Sequence, residues 1–169
     1  RRHRRELVAF AHSHGVVLAS HDDATPEHVA ESIADGVAVA EFPTTHEAAG
    51  QSHEAGIRVM MGGPNVVRGG SHSGNIAAED LAREGLLDII SSDYVPASLV
   101  MAAFMLAERV ADIDLPEAVR MITLNPARAA HLYDRGAIAI GQRADCVQVH
   151  LADTVPIIRR VWRQGRQVV

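Results

Sequence analysis

His21 and Asp93 are the two residues whose types and positions best suit a metal-dependent hydrolytic site. His21 closes the apolar run 16–20, and Asp93 closes the run 88–92. An imidazole nitrogen and a carboxylate oxygen both bind divalent metals, and a carboxylate is costly to bury unless it is paired or metal-bound. A histidine in this position can instead cap its strand. Because zinc takes three or four ligands, other ligands must come from elsewhere in the chain or from outside it.

The glycine-rich segment 62–75 is the most unusual part of the chain. Its glycines allow the backbone to approach a ligand closely, and Arg68 offers a planar fork for phosphate oxygens. Ser71, Ser73 and Asn75 add hydrogen-bond donors ahead of a predicted helix. This composition favours a loop that faces a polyphosphate, and a flexible lid is the alternative. No Gly-Lys-Ser/Thr sequence follows, so the segment is not a P-loop.

One sequence pattern that would position these residues occurs four times: a polar, helix-like stretch, a glycine, and then an apolar run. The glycines predict helix ends, because glycine adopts the left-handed conformation without a Cβ penalty, and they are Gly15, Gly36, Gly56 and Gly85. The apolar runs predict strands at 16–20, 37–42, 58–61 and 87–91. The stretches after them predict helices at 26–34, 46–55, 76–84 and 98–110.

Four strand–helix units predict an α/β fold whose parallel strands are covered on both faces. Such units form either half of a (β/α)₈ barrel or a small doubly wound sheet. In both folds the chemistry lies at the carboxyl ends of the strands, where this sequence places its polar residues. Two short helices are predicted at 115–123 and 125–132, and the segment 136–169 alternates and turns like a small β-structure.

The composition restricts the class of protein. The chain has 169 residues, 47% of them hydrophobic, which is enough for one packed domain. The net charge of -5 indicates neither nucleic acid nor an anionic membrane as a partner, and no apolar run approaches the roughly 18 residues that span a bilayer. The single cysteine, Cys146, fits a reducing cytosol, so a cytoplasmic location is expected. Because the chain begins with Arg1 rather than Met, we expect a further segment upstream.

Six motifs occur in order along nearly the whole chain. They are Ser20-His21-Asp22-Asp23, Glu41-Phe42-Pro43-Thr44-Thr45, the glycine-rich stretch from Gly63 to Asn75, Ser91-Ser92-Asp93-Tyr94, Thr123-Leu124-Asn125-Pro126-Ala127 and Gly141-Gln142-Arg143-Ala144-Asp145. Together they resemble the amidohydrolase superfamily, and within it the phosphonate-metabolism branch of the carbon–phosphorus lyase pathway. Many amidohydrolases share the last two motifs, whereas the glycine-rich stretch and Glu-Phe-Pro-Thr-Thr are narrower.

The resemblance implies the C-terminal half of a (β/α)₈ TIM barrel, with strands five to eight and their helices in residues 1–133. Residues 134–169 would then form strands of a small β-sandwich. The implied metal ligands are His21, Asp93 and Glu41, the last in place of a histidine that many members carry after the sixth strand. Asp93 would also be the catalytic proton acceptor. The implied substrate-binding residues are Asn65, Arg68, Gly69, Gly70, Ser71, His72, Ser73 and Asn75.

The activity implied by the resemblance is hydrolysis of a ribose 5-triphosphate to the 5-phosphate and pyrophosphate, with a divalent ion such as Zn or Mn as cofactor. The alternatives are a carbon–nitrogen amidohydrolase, such as a cyclic amidase or deaminase, and an inactive truncated half-barrel. The expected partners are a phosphorylated small molecule and the missing N-terminal half of the barrel, or a second copy joined through open sheet edges. Nucleic acid and membrane are not expected, and by itself the chain is expected to be inactive.

Overall fold

The computed structural model describes residues 2–71 and 73–169, which contain eight helices and seven strands. The helices are α1 Arg2–Ser13, α2 Pro26–Ala34, α3 His46–Glu54, α4 Gly63–Arg68, α5 Ala78–Arg83, α6 Ser98–Arg109, α7 Leu115–Ile122 and α8 Leu124–Ala129. The strands are β1 Ala19–His21, β2 Val39–Glu41, β3 Arg58–Gly62, β4 Ile89–Ser91, β5 Cys146–Ala152, β6 Val155–Arg163 and β7 Arg166–Gln167. No helix in the described part of the chain is both long and apolar enough to cross a membrane.

The first four strands form one parallel sheet in the order β1-β2-β3-β4, with helices in each connection. The register places His21 beside Glu41, and Glu41 beside Met60. All four strands therefore bring their carboxyl ends to the same edge of the sheet. The last three strands form a separate antiparallel sheet in the order β5-β6-β7. The predicted α/β architecture with parallel strands is confirmed.

Local sequence signals account for the ends of the helices. Thr25 accepts a hydrogen bond from the His28 amide at the start of α2, and Asp114 accepts one from the Glu117 amide, at 2.8 Å, at the start of α7. The four glycines that were predicted to end helices all have φ between 65° and 78°, and they are Gly15, Gly36, Gly56 and Gly85. Each glycine lies between the end of one helix and the start of the next strand, so the predicted pattern of helix, glycine and strand is confirmed.

The hydrophobic core is concentrated around β3 and β4 rather than spread evenly along the sheet. Val59 and Ile90, from these two strands, pack with Leu81 of α5, Leu106 of α6 and Met121 of α7. Their side chains are at most 5% exposed, so helices hold this half of the sheet firmly. The carboxyl ends of β3 and β4 are therefore the best-supported part of the sheet edge.

The expectation that all four parallel strands are buried is wrong for β1. Ala19 and His21 are exposed, because β1 lies outside the core that the helices α5, α6 and α7 form with β3 and β4. The outer helix on this side, α1, is fastened to α2 through ion pairs from Arg4 to Glu31 and Asp35. The hydrogen bond to Asp35 raises the pKa of Arg4.

Two further expectations from the sequence differ from the structure. The segment that follows β3 was expected to be a loop, but its first six residues, Gly63–Arg68, form the helix α4 with Pro64 in the first turn. The run 136–141 does not form a strand, and its Ile138 and Ile140 are fully exposed or nearly so. The small sheet begins only at Cys146, and the division of the chain into domains at residue 134 stays a prediction.

Candidate active site

A cavity of about 250 Å³ lies at the carboxyl edge of the parallel sheet, over the ends of β2, β3 and β4. Its walls combine an acidic side, a basic side chain and several small polar groups. The lining residues are Asp22, Phe42, Pro43, Met61, Gly62, Pro64, Asn65, Arg68, Gly70, Ser71, Ser73, Asn75, Ile76, Asp93 and Tyr94. The cavity thus lies on the well-packed side of the sheet, where the sequence predicted the chemistry.

Asp93 reaches the cavity from the connection that follows β4. It lies two residues beyond the end of the strand, is exposed, and has φ of 49°. The left-handed conformation is uncommon for residues other than glycine but is tolerated by aspartate. The turn is held by Ser98, whose hydroxyl donates to the Val95 carbonyl at 2.7 Å. The connection therefore presents a solvent-accessible carboxylate from a backbone that is fixed close by.

Arg68 lines the same cavity from the end of α4. Its Nη2 donates a hydrogen bond of 2.7 Å to the hydroxyl oxygen of Tyr94, the residue after Asp93. Gly69 ends the helix in the left-handed region, with φ of 81°, and its amide donates to the Asn65 carbonyl at 3.1 Å. Helix α4 thus places a cation in the cavity that Asp93 also lines.

Asn65 holds the glycine-rich segment in place. Its Oδ1 accepts a hydrogen bond of 2.9 Å from the Ala78 amide, and its Nδ2 donates to the Ile76 carbonyl at 3.4 Å. The first of these bonds satisfies a free amide at the start of α5. Asn65 lines the cavity, but its side-chain amide is hydrogen-bonded to the backbone at the other end of the glycine-rich segment.

The other predicted substrate-binding residues belong to the glycine-rich segment that follows Arg68. Gly70, Ser71, Ser73 and Asn75 line the cavity, and the Ser73 amide donates to the Ser71 hydroxyl oxygen at 3.1 Å. Gly69 ends α4 just beside them without lining the cavity. His72, which was also predicted to bind substrate, lies outside the described residues. Six of the eight predicted substrate-binding residues therefore line the same cavity: Asn65, Arg68, Gly70, Ser71, Ser73 and Asn75.

His21 lies apart from this cavity. It ends the edge strand β1 with its side chain 58% exposed, and its Nδ1 lies 3.1 Å from Asp22 Oδ2. Its ring also packs edge-on against Phe42, with 5.4 Å between centroids. His21 instead lines a separate hollow of about 390 Å³ along β1. Asp22 borders both spaces and is the link between them.

The chain provides donors suited to a divalent metal but does not gather three of them. Because His21 and Glu41 are register partners on neighbouring strands, they lie side by side. Asp93 follows β4, and three inter-strand steps from β1 to β4 amount to about 14 Å along the sheet. Within residues 2–71 and 73–169 no group of three His, Cys, Asp or Glu side chains could hold a metal ion. The imidazole and carboxylate groups are suitable metal ligands, but their positions in this chain can supply only part of a coordination sphere.

The structure adds three residues that the sequence reasoning did not select: Asp22, Phe42 and Tyr94. Asp22 and Phe42 follow β1 and β2 directly and have φ of 60° and 55°. Their amides still continue the parallel ladder, to the Glu41 carbonyl at 3.0 Å and to the Met60 carbonyl at 2.9 Å. Left-handed residues with bulky side chains are rare and concentrate at functional sites. Position after a strand end was the signal that could have identified them.

Comparison with known proteins places this arrangement in a family. The amidohydrolase family model matches residues 4–169. The chain is 54% identical, over 98% of its length, to alpha-D-ribose 1-methylphosphonate 5-triphosphate diphosphatase of Escherichia coli (strain K12), of which it spans 44%. It is 38% identical over 86 residues to imidazolonepropionase of Deinococcus deserti, a match that covers 46% of the chain and 21% of the relative.

Solved structures show the same fold at low sequence identity. An amidohydrolase from Thermotoga maritima superposes with a TM-score of 0.69 at 22% identity, over 90% of this chain and 43% of that one. A Xaa-Pro dipeptidase with bound methionine gives 0.68 at 18% identity, over 95% of this chain and 46% of that one. The four-stranded sheet is thus part of an α/β barrel, as predicted, and the chain belongs to the amidohydrolase family.

Proposed function

We propose that this chain supplies the polyphosphate-binding cavity and the proton-accepting carboxylate of a hydrolase that releases pyrophosphate from a ribose 5-triphosphate. The observation that carries the proposal is the cavity that joins Asp93 to Arg68 and the polar glycine-rich segment. The 54% identity to the Escherichia coli diphosphatase supports the same substrate class. Because the chain spans 44% of that relative, we propose that activity requires barrel strands beyond the four described here.

The side chains of the cavity have separate roles in this proposal. Arg68 binds phosphate oxygens through its planar fork and offsets the charge that develops on the departing pyrophosphate. Ser71 and Ser73 donate further hydrogen bonds to the same oxygens. Asp93 orients the attacking water and accepts its proton, for which its exposure to the cavity is suitable.

A divalent metal is the cofactor that we propose for the complete site. His21, Glu41 and Asp93 are the side chains of this chain that would supply ligands, and the missing barrel strands would supply the others. When bound, such an ion lowers the pKa of water so that hydroxide is available near neutral pH. The carboxylates of Asp22 and Asp93 repel a bare polyphosphate, which favours a substrate that carries its own divalent cation.

A carbon–nitrogen amidohydrolase is the second candidate. The match to imidazolonepropionase supports it, although that match covers less than half of the chain. A cavity with an arginine and a row of serine and asparagine donors suits a polyanion better than a neutral cyclic amide. The diphosphatase is therefore the better-supported function.

The experiment uses a barrel chimera, defined as the Escherichia coli diphosphatase in which the matching segment is replaced by this chain. Pyrophosphate release is measured from a ribose 5-triphosphate, with a panel of cyclic amides and aminopurines as rival substrates. The proposal expects pyrophosphate release and no turnover of the panel. Turnover of a panel member without pyrophosphate release would favour the second candidate. The Arg68→Ala chimera should show a raised KM for the triphosphate with a smaller change in kcat.

A further inference from the structure

The hydrogen bond between Arg68 and Tyr94 connects two chain segments that line the cavity. Arg68 closes α4, and Tyr94 lies in the connection between β4 and α6, directly after Asp93. Arg68 Nη2 lies 2.7 Å from the Tyr94 hydroxyl, and both side chains are exposed to the cavity rather than to the core. Tyr94 therefore links the cation of the site to the chain segment that carries its carboxylate.

The backbone is held firmly at each end of this bond. On one side, the Gly69 and Gly70 amides both donate to the Asn65 carbonyl, at 3.1 and 2.9 Å. On the other side, the Val95 amide donates to the Ser92 carbonyl at 3.0 Å. A side-chain bond between two fixed segments removes rotamer freedom from a long arginine, which is otherwise lost only when the ligand binds.

A tyrosine hydroxyl is a distinctive partner for such an arginine. The guanidinium has five N–H donors, so one bond to Tyr94 leaves the others free for a ligand. A carboxylate partner would offset the positive charge and compete with phosphate, whereas a neutral phenol orients the group and leaves its charge intact. Among the residues that the structure describes, no carboxylate forms an ion pair with Arg68.

We infer that Tyr94 is a positioning residue that selects polyphosphates, by holding the Arg68 guanidinium at a fixed offset from Asp93. This position matters because the phosphate chain must lie with the bond to be hydrolysed near the carboxylate. The inference extends the proposed function and rests on it. The ligand class is a polyphosphate with a divalent cation, since Asp22 and Asp93 face the same cavity. Orthophosphate has no chain to align with the carboxylate, so it should gain less from the oriented guanidinium than tripolyphosphate does.

The test is calorimetric titration of the 169-residue chain with magnesium tripolyphosphate, and with orthophosphate as the short ligand. Tyr94→Phe should weaken tripolyphosphate binding by about three- to tenfold, the range that one typical hydrogen bond contributes. Tyr133→Phe is the matched control, because Tyr133 is 69% exposed and its ring stacks on His131. It should leave binding unchanged. Since Tyr94 is 60% exposed, circular dichroism should show both variants folded like the parent.

A double-mutant cycle separates orientation of Arg68 from a direct contact between Tyr94 and the ligand. In an Arg68→Lys background, Tyr94→Phe should have no further effect, because the planar fork that it orients is gone. Additive losses would overturn the inference. Absence of tripolyphosphate binding by the parent chain, or unchanged binding in Tyr94→Phe, would overturn it as well.

The barrel chimera distinguishes failure of this inference from failure of the proposed function. The Tyr94→Phe chimera should raise KM for the ribose triphosphate by about three- to tenfold and leave kcat within about twofold. A chimera that folds but releases no pyrophosphate contradicts the proposed function, while Tyr94-dependent binding of tripolyphosphate would still support the inference. Pyrophosphate release with unchanged KM in Tyr94→Phe contradicts the inference alone.

Discussion

The carboxylate of Asp93 lies against Gly62, so closely that a methyl group on Gly62 would require the carboxylate to shift. A methyl carbon on Gly62 would lie 3.0 Å from Asp93 Oδ2 and 3.2 Å from Asp93 Cβ. Gly62 has φ of -79° and ψ of 137°, which any residue adopts, so it is the close approach that requires glycine. The end of β3 thus sets the height of the proposed catalytic carboxylate above the sheet.

Gly62→Ala should impair catalysis while preserving the fold. The added methyl group must displace the Asp93 carboxylate by some tenths of an ångström, and loss of alignment of that kind should lower kcat of the barrel chimera by about tenfold. KM should change by less than about twofold, because the phosphate-binding wall is not touched. Steady-state kinetics with a ribose triphosphate give both values.

Gly50→Ala is the matched control for this substitution. Gly50 lies inside helix α3, and a methyl group there meets nothing within 4 Å. Alanine should stabilise the chain by about 0.5–1 kcal/mol and leave kcat unchanged. Equal losses of kcat in the two variants would show that the close contact between Gly62 and Asp93 has no special role.

Asn65→Ala should loosen the glycine-rich segment rather than simply remove a substrate contact. The variant loses the bonds to Ala78 and Ile76 and leaves the Ala78 amide at the start of α5 without its partner. The cost should be about 1–3 kcal/mol in the free energy of unfolding, measured by urea denaturation. Asn75→Ala, at an exposed position of the same segment, should cost far less. Equal stability of the two variants would argue against a structural role for Asn65.

The isolated chain should not retain a metal ion tightly. His21 and Glu41 are neighbours, but Asp93 follows the opposite edge strand, and the described residues contain no cluster of three donors. After gel filtration, elemental analysis should find much less than one zinc or manganese ion per chain. In the barrel chimera the same measurement should find bound metal, and a chelator should remove metal and activity together. Stoichiometric metal on the isolated chain would contradict the partial-site account.

The small antiparallel sheet should weaken in acid through Asp145. Its Oδ1 accepts a hydrogen bond of 2.7 Å from the Gln164 amide in the turn between β6 and β7, and Arg143 lies beside it. These contacts lower the pKa of Asp145 below its ordinary value of 3.8. The stabilisation is therefore complete above the unfolded-state pKa and is lost as the pH falls through the lowered one.

The amide signal of Gln164, followed by NMR through an acid titration, measures this effect. The signal should move as Asp145 is protonated, at a pH below about 4, and the turn should become more exposed to solvent exchange. Asp145→Asn should abolish the transition. Asp153→Asn, in the turn between β5 and β6, should leave it intact. A transition that survives Asp145→Asn would assign it to another group.

Much of the fold follows from local signals in the sequence. Helix α2 has the bounds that Thr25 and Pro26 predict, and Gly36 turns the chain towards β2 as expected. Helix α4 was missed because its glycines outweighed the signal of Pro64 in the first turn. The exposure of β1 was not predictable from its apolar residues, since burial depends on the neighbours that a strand receives.

Part of the candidate site could likewise be predicted from the sequence, and part could not. The position of Asp93 at the carboxyl edge and the gathering of Arg68, Ser71 and Ser73 follow from strand ends and glycine spacing. The position of Tyr94 after a strand end was visible in the sequence, but its bond to a residue 26 positions earlier was not. Such pairings require the fold to bring two connections together, and only the structure shows them.

Pyrophosphate release by the barrel chimera with Asp93 replaced by Asn tests the central claim most directly. The substitution preserves size and removes the carboxylate that accepts the proton, so turnover of the ribose triphosphate should fall by about a hundredfold or more. Circular dichroism should match that of the parent, because Asp93 is exposed and asparagine preserves its size. Retention of the parent kcat in a folded Asp93→Asn chimera would contradict the account.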